Sequence, residues 1–151
     1  RMGEMLEYTY VNGNAYGTTK KSVEEARTRG KNVILDVDTI GAMKIRALCP
    51  DATLIYILPP SWDELKSRLS STGIYTEEEV NALMEIAEEE ISCANSYDYI
   101  LVNDTISNTL SRFAQIIHSN RYSRNCMKEF LDSYIDGEVK PHVQSYKEAL
   151  L

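Results

Sequence analysis

Cysteine is scarce in this chain, basic charge is outweighed, and long apolar runs are missing altogether. The three cysteines, Cys49, Cys93 and Cys126, have neither metal-ligand spacing nor the density of a disulfide framework, so free thiols in a reducing compartment are expected. No apolar run is long enough to cross a bilayer and no signal peptide is visible, which reads as a cytoplasmic protein. The chain carries 16 Lys and Arg against 23 Asp and Glu, a net charge of −7. That balance argues against broad electrostatic binding to nucleic acid or to an anionic membrane, although it leaves room for a local basic pocket that takes a phosphate. Internal repeats and low-complexity tracts are absent. What is present is ordinary for a soluble globular domain: 151 residues, 43% hydrophobic and 26% charged, enough to bury one core. Arg1–Met2–Gly3 leads almost at once into a structured-looking segment, so either an upstream part is missing or the domain begins abruptly.

The stretch from Glu7 to Asp38 concentrates polar chemistry. Glu7–Val11 (EYTYV) has the β-branched and aromatic character of a strand, and Asn12–Gly13–Asn14 is a turn signal. Tyr16, Gly17 and Thr18 follow. Thr19 or Ser22 can cap a helix that runs through Ala26, with Gly30 as its stop. Val33–Ile34–Leu35 then reads as a strand buried on both faces, delivering two acids, Asp36 and Asp38. Carboxylate, hydroxyl and phenol are the groups needed to read a polar heterocycle and hold an anion, which points to a nucleoside monophosphate. On residue chemistry alone a hairpin followed by an ordinary βα unit fits better.

Downstream, helical and buried-strand patterns alternate. Gly41–Leu48 is expected to be a crossover helix with Ala42, Ile45 and Leu48 on one face, ended by Pro50. Leu54–Leu58 is the second strand, and Ser61 with Glu64 predicts a capping box for a helix through Leu69. After a polar break over Ser70–Gly73, Thr76 and Glu79 cap a longer helix whose apolar side is Val80, Leu83, Ile86 and Ala87. Tyr99–Val102 is the third strand. Asn103–Asp104 opens a helix with Ile106, Leu110, Phe113, Ile116 and Ile117 on its apolar side. Beyond Asn120 the character changes: Cys126 to Ile135 keeps helical spacing, and Pro141 suits the first turn of a last helix ending at Leu151. The alternation predicts an α/β fold, a right-handed parallel sheet flanked by helices. Three parallel strands leave two raw edges, so something is expected to complete the sheet, either an N-terminal segment or a homo-oligomer partner.

Taken in order, GEMLEYTYVNGNAYGT, VILDVD..GA, PDATLIYILPPS..EL..RL and YDYILVND resemble guanylate kinase, with the match covering roughly residues 3–117. The resemblance implies a partial P-loop NTPase core over residues 1–120, with a small GMP-binding β region at about 3–20 and a lid at about 68–83, followed by a C-terminal helical extension over 121–151. It implies phosphoryl transfer from ATP to GMP, with Mg2+ as the metal. Residue by residue, Glu7 matches the acid that accepts hydrogen bonds from guanine, and Tyr16 the phenol that bonds the GMP phosphate. Thr18 matches the hydroxyl facing the base, Asp38 the second guanine-reading acid, and Asp36 its partner near the metal and phosphates. Asn103 matches the residue beside the ATP adenine, and Arg68 the first lid arginine. Other readings stay open: Tyr16 as a turn aromatic, Asp36 and Asp38 as helix caps, and Asn103–Asp104 as a helix start.

The departures bear on activity. No Gly-rich loop ending in GK[ST] occurs in the 151 residues, and the first strand, first helix and phosphate-gripping arginines that the family carries ahead of Gly3 have no counterpart here. Without the Lys–Mg2+ cradle these 151 residues alone are expected not to catalyse transfer. The remaining lid arginine positions fall on Thr72 and Leu83, and the usual glutamine before Gly41 is Ile40. Lys66 and Arg46 read as solvated helix residues. Two alternatives follow: a pseudoenzyme or scaffold module that reuses the GMP pocket for a phosphorylated partner, or an assembly protein whose residues 121–151, including Phe130, Leu131, Tyr134, Leu150 and Leu151, make contacts between chains.

Overall fold

Two antiparallel strands open the described structure, because β-branched and aromatic residues on either side of a turn signal favour pairing; the expected turn residues Asn12 and Gly13 lie outside the described residues. The computed structural model describes residues 4–11 and 14–136, and the backbone falls into two units, Arg1–Asp104 and Thr105–Leu151. The helix expected after Pro141, with Leu150 and Leu151, lies outside the described residues. In the first unit, β1 (Met5–Val11) pairs antiparallel with β2 (Asn14–Thr19), with a bulge between Met5 and Glu7. Helix α1 (Lys20–Thr28) follows at once. Thr19 is its N-cap, its hydroxyl accepting from the Ser22 N–H at 3.1 Å. Gly30, at φ 69°, ends it as expected: its N–H bonds the Arg27 carbonyl and the Lys31 N–H bonds the Ala26 carbonyl, which satisfies two terminal acceptors.

The strand expected at Val33–Leu35 does not form. Residues 31–38 have no regular secondary structure, Val33 is 37% exposed and Ile34 65% exposed. An apolar β-branched run supplies a surface for a strand, but a strand needs a hydrogen-bonded neighbour, and among the described residues this run has none. The parallel sheet therefore holds two strands rather than three.

Helix α2 (Thr39–Leu48) begins two residues earlier than expected, with Asp38 as its N-cap. Gly41, Ala42 and Ile45 make its buried face, while Leu48, expected on that face, is exposed. Strand β3 (Ile55–Leu58) follows, then α3 (Trp62–Ser71) and α4 (Glu77–Glu90), which pack on each other. Thr76 and Glu79 form the reciprocal capping box predicted for α4. Ser61 caps α3 through the Glu64 N–H, but the box is only half made, because the Glu64 carboxylate turns to Arg68 instead. On α4, Val80 is buried, whereas Ile86 falls off the packed stripe and is 51% exposed. A 3-10 turn over Ile91–Ser96 leads into β4 (Tyr99–Val102), which pairs parallel with β3 from Ile55↔Tyr99 to Leu58↔Val102.

Arg46, read from sequence as solvated, instead ties the sheet to α2. Its guanidinium donates to the Pro50 and Ala52 carbonyls at 3.0 and 2.9 Å and to Asp98 Oδ2 at 2.5 Å, and the same Asp98 oxygen accepts from the Leu54 N–H at 2.8 Å. One cation thus satisfies the chain where α2 ends and both strands begin. The core of this unit is Leu6, Ala42, Ile45, Leu54, Val80, Ala94 and Leu101. In the second unit, α5 (Ile106–Asn120) starts from the Thr105 N-cap, and α6 (Lys128–Ile135) carries an edge-to-face pair, Phe130 and Tyr134, with ring centroids 5.1 Å apart. Of the apolar side predicted for α5, Phe113, Ile116 and Ile117 are half-buried, while Ile106 and Leu110 are exposed. No described helix is long and apolar enough to cross a membrane.

Candidate functional site

The register of the hairpin decides which polar groups meet. Glu7 on β1 stands opposite Thr18 on β2, both half-buried, and the Thr18 hydroxyl donates to Glu7 Oε1 at 3.3 Å. A carboxylate is an acceptor only, so the hydroxyl proton orients one of its oxygens and leaves the other free to receive donors. Gly17 makes this close pairing possible. A Cβ there would run into the Glu7 carbonyl oxygen and would stand 2.7 Å from the Met5 methyl and from the Tyr8 Cβ. Tyr16 is on β2 with its backbone opposite Thr9; its side chain lies outside the described residues.

The two downstream acids behave differently. Asp38 caps α2, its Oδ1 accepting from the Gly41 N–H at 2.6 Å, where the helix N-terminus favours negative charge. A side chain at Gly41 would press on that oxygen at 3.0 Å. The cap occupies one carboxylate oxygen, so the acid retains acceptor capacity. Asp36 is exposed in the irregular run before α2. Next to Asp38, the Thr39 hydroxyl donates to Glu90 Oε1 at 3.3 Å, joining the start of α2 to the end of α4.

Arg68 and Asn103 are also brought together. The Arg68 Nε donates to Glu64 Oε1 at 2.8 Å, and its Nη2 donates to the Asn103 carbonyl at 3.0 Å and the Asp104 carbonyl at 3.4 Å. The guanidinium therefore holds the exit of β4 in place. Thr72, at the second lid position, ends α3 with its hydroxyl on the Leu69 carbonyl at 2.8 Å.

Sequence reasoning missed three features here. Tyr56 and Tyr97 meet edge to face at 5.0 Å. Desolvation raises both phenols above their ordinary pKa; the charge of Glu90 adds to the shift on Tyr56, and Tyr56, Cys93, Glu90 and Asp38 add to that on Tyr97. Lys44 on α2 places its Nζ 5.8 Å from the centre of the Tyr8 ring on β1. Arg46 was legible in part, since a basic residue in the last turn of a helix readily bonds nearby carbonyls. Its other partner, Asp98, is too far along the chain for any local pattern to reveal.

Comparison with known proteins adds four findings. The family model described as guanylate kinase matches residues 1–120. Guanylate kinase from Clostridium acetobutylicum is 40% identical over 142 residues, spanning 93% of this chain and 66% of that protein. The Francisella tularensis guanylate kinase is 43% identical over 116 residues, spanning 76% of this chain and 61% of its own length. A crystal structure of guanylate kinase from Anaplasma phagocytophilum superposes with a TM-score of 0.64 at 31% identity, covering 81% of this chain and 58% of that one. The chain thus spans just under two thirds of the length of guanylate kinases that it matches, 66% of that from Clostridium acetobutylicum and 65% of that from Clostridium perfringens.

Proposed function

Because the chain belongs to the guanylate kinase family, we propose that it supplies the GMP-reading part of an enzyme that transfers a phosphoryl group from ATP to GMP. The observation that carries this reading is the Glu7–Thr18 pair, a half-buried carboxylate oriented by a hydroxyl across a hairpin. Guanine presents N1–H and an exocyclic amine, two donors that an ionised carboxylate accepts. Adenine presents an unprotonated N1 at the same place, so the carboxylate would face a lone pair and lose its partner. Asp38 is the second acid of the site, its free acceptor capacity turned to the base. Tyr16 bonds the GMP phosphate, Asp36 lies toward the metal and phosphates, Asn103 borders the adenine of ATP, and Arg68 reaches the lid.

The residues in hand do not by themselves fit Mg2+ and ATP. Among the described residues no three His, Cys, Asp or Glu side chains gather closely enough to hold a metal ion, and the 151 residues contain no GK[ST] loop. Transfer therefore depends on a phosphate cradle supplied from outside these residues, and the chain alone binds GMP without turning it over. A further strand completes the β3–β4 sheet, whether from an N-terminal segment or from a second copy.

Titration calorimetry with GMP, ATP and a phosphoserine peptide tests the proposal. GMP binding without measurable ATP or peptide binding is the expected result. Preference for the phosphopeptide would favour the scaffold reading, and binding of none of the three would reject the pocket.

A further inference from the structure

The two acids assigned to guanine sit on different elements, Glu7 on β1 and Asp38 at the start of α2. Two carboxylates can read one base only if the spacing between those elements is fixed. Among the described side chains of the hairpin Leu6 is buried, and α1, which packs on β2, buries none. A two-stranded hairpin is marginal without support. Its support is α2, against which β1 packs.

A cation–π contact spans that junction. Lys44, a turn and a half into α2, holds its ammonium 5.8 Å from the centre of the Tyr8 ring. Tyr8 and Glu7 are consecutive in the regular part of β1, so their side chains leave opposite faces of the strand. A cation held on the Tyr8 face thus sets the angle at which Glu7 is presented on the other. The helix that carries Lys44 is the one whose first turn is locked by the Asp38–Gly41 bond. We propose that Lys44 and Tyr8 are positioning residues, a cation–π clamp that sets the separation of Glu7 and Asp38 and thereby the fit of guanine. This rests on the GMP reading above for its binding consequence, but not for the clamp itself.

The test uses the full chain and two readouts. Lys44→Met keeps the aliphatic stem and removes the charge; Lys44→Arg keeps the cation; Tyr8→Phe keeps the ring and Tyr8→Leu removes it. A contact of this kind at an exposed site predicts an effect of about twofold to fivefold. Lys44→Met and Tyr8→Leu are expected to weaken GMP binding by that factor and to speed amide hydrogen exchange in β1 and β2 similarly, with the urea midpoint unchanged. Lys44→Arg and Tyr8→Phe are expected to restore wild-type values, and the double variant Lys44→Met/Tyr8→Leu to be no worse than Tyr8→Leu alone. Wild-type behaviour of Lys44→Met in hydrogen exchange, or additive effects in the double variant, would overturn the clamp. A wild-type chain that binds no GMP would overturn the GMP reading instead, and the exchange experiment would still decide the clamp.

Discussion

The hairpin with its helix α1 and the body built on β3 and β4 are held together by different means. The body is fixed by apolar burial: Ala42, Ile45, Leu54, Val80, Ala94 and Leu101 are all buried, and Arg46 and Asp98 tie its strand starts. The hairpin is fixed by register, by the close approach at Gly17, and by its junction with α2. Two of its polar side chains, Glu7 and Thr18, face each other across the strands. The difference bears on the proposed recognition: of the two acids proposed to read guanine, Glu7 lies on the hairpin and Asp38 at the start of α2, so the proposed site draws on both kinds of support.

That contrast can be broken from either side. The largest effect is expected from the body: Leu101→Ala, at a position 3% exposed, should cost about 2–5 kcal/mol in urea unfolding. Glu7→Gln should leave unfolding nearly unchanged yet weaken GMP binding by about 1.5–3 kcal/mol, roughly tenfold to a hundredfold, because a charge-assisted acceptor is lost. Thr76→Ala removes one arm of the α4 capping box and should lower stability by about 1 kcal/mol, again with GMP binding intact. The smallest effect concerns pH. Tyr56 and Tyr97 have raised pKa values in the fold, so the folded chain keeps its phenol protons longer than the unfolded chain. Their contribution is fully present below about pH 10 and is lost as pH rises through the raised values. Unfolding measured from about pH 9 to 11 should show stability falling, and Tyr56→Phe/Tyr97→Phe should fall less.

Much of the local structure was legible because its causes are local. The Thr19 and Thr76 caps, the Gly30 stop and the strands over Ile55–Leu58 and Tyr99–Val102 follow from neighbours a few residues apart. Val33–Leu35 misled because its composition suits a strand while pairing depends on a distant neighbour. Arg46 misled for the same reason, since Asp98 lies 52 residues on. In the site, the facing of Glu7 and Thr18 follows from hairpin register. Asp38 had two readings, cap and base acceptor, and the cap is visible; the second use of that carboxylate is a matter for the ligand. The tie from Arg68 to the Asn103 and Asp104 carbonyls had no sequence signal, because backbone acceptors carry no residue signature.

A paired titration of GMP and AMP into the wild-type chain and Glu7→Gln tests most directly whether Glu7 reads guanine. The wild type is predicted to prefer GMP, and the variant to lose most of that preference while its urea midpoint stays unchanged. Equal binding of GMP and AMP by the wild type, or an undiminished preference in Glu7→Gln, would contradict it.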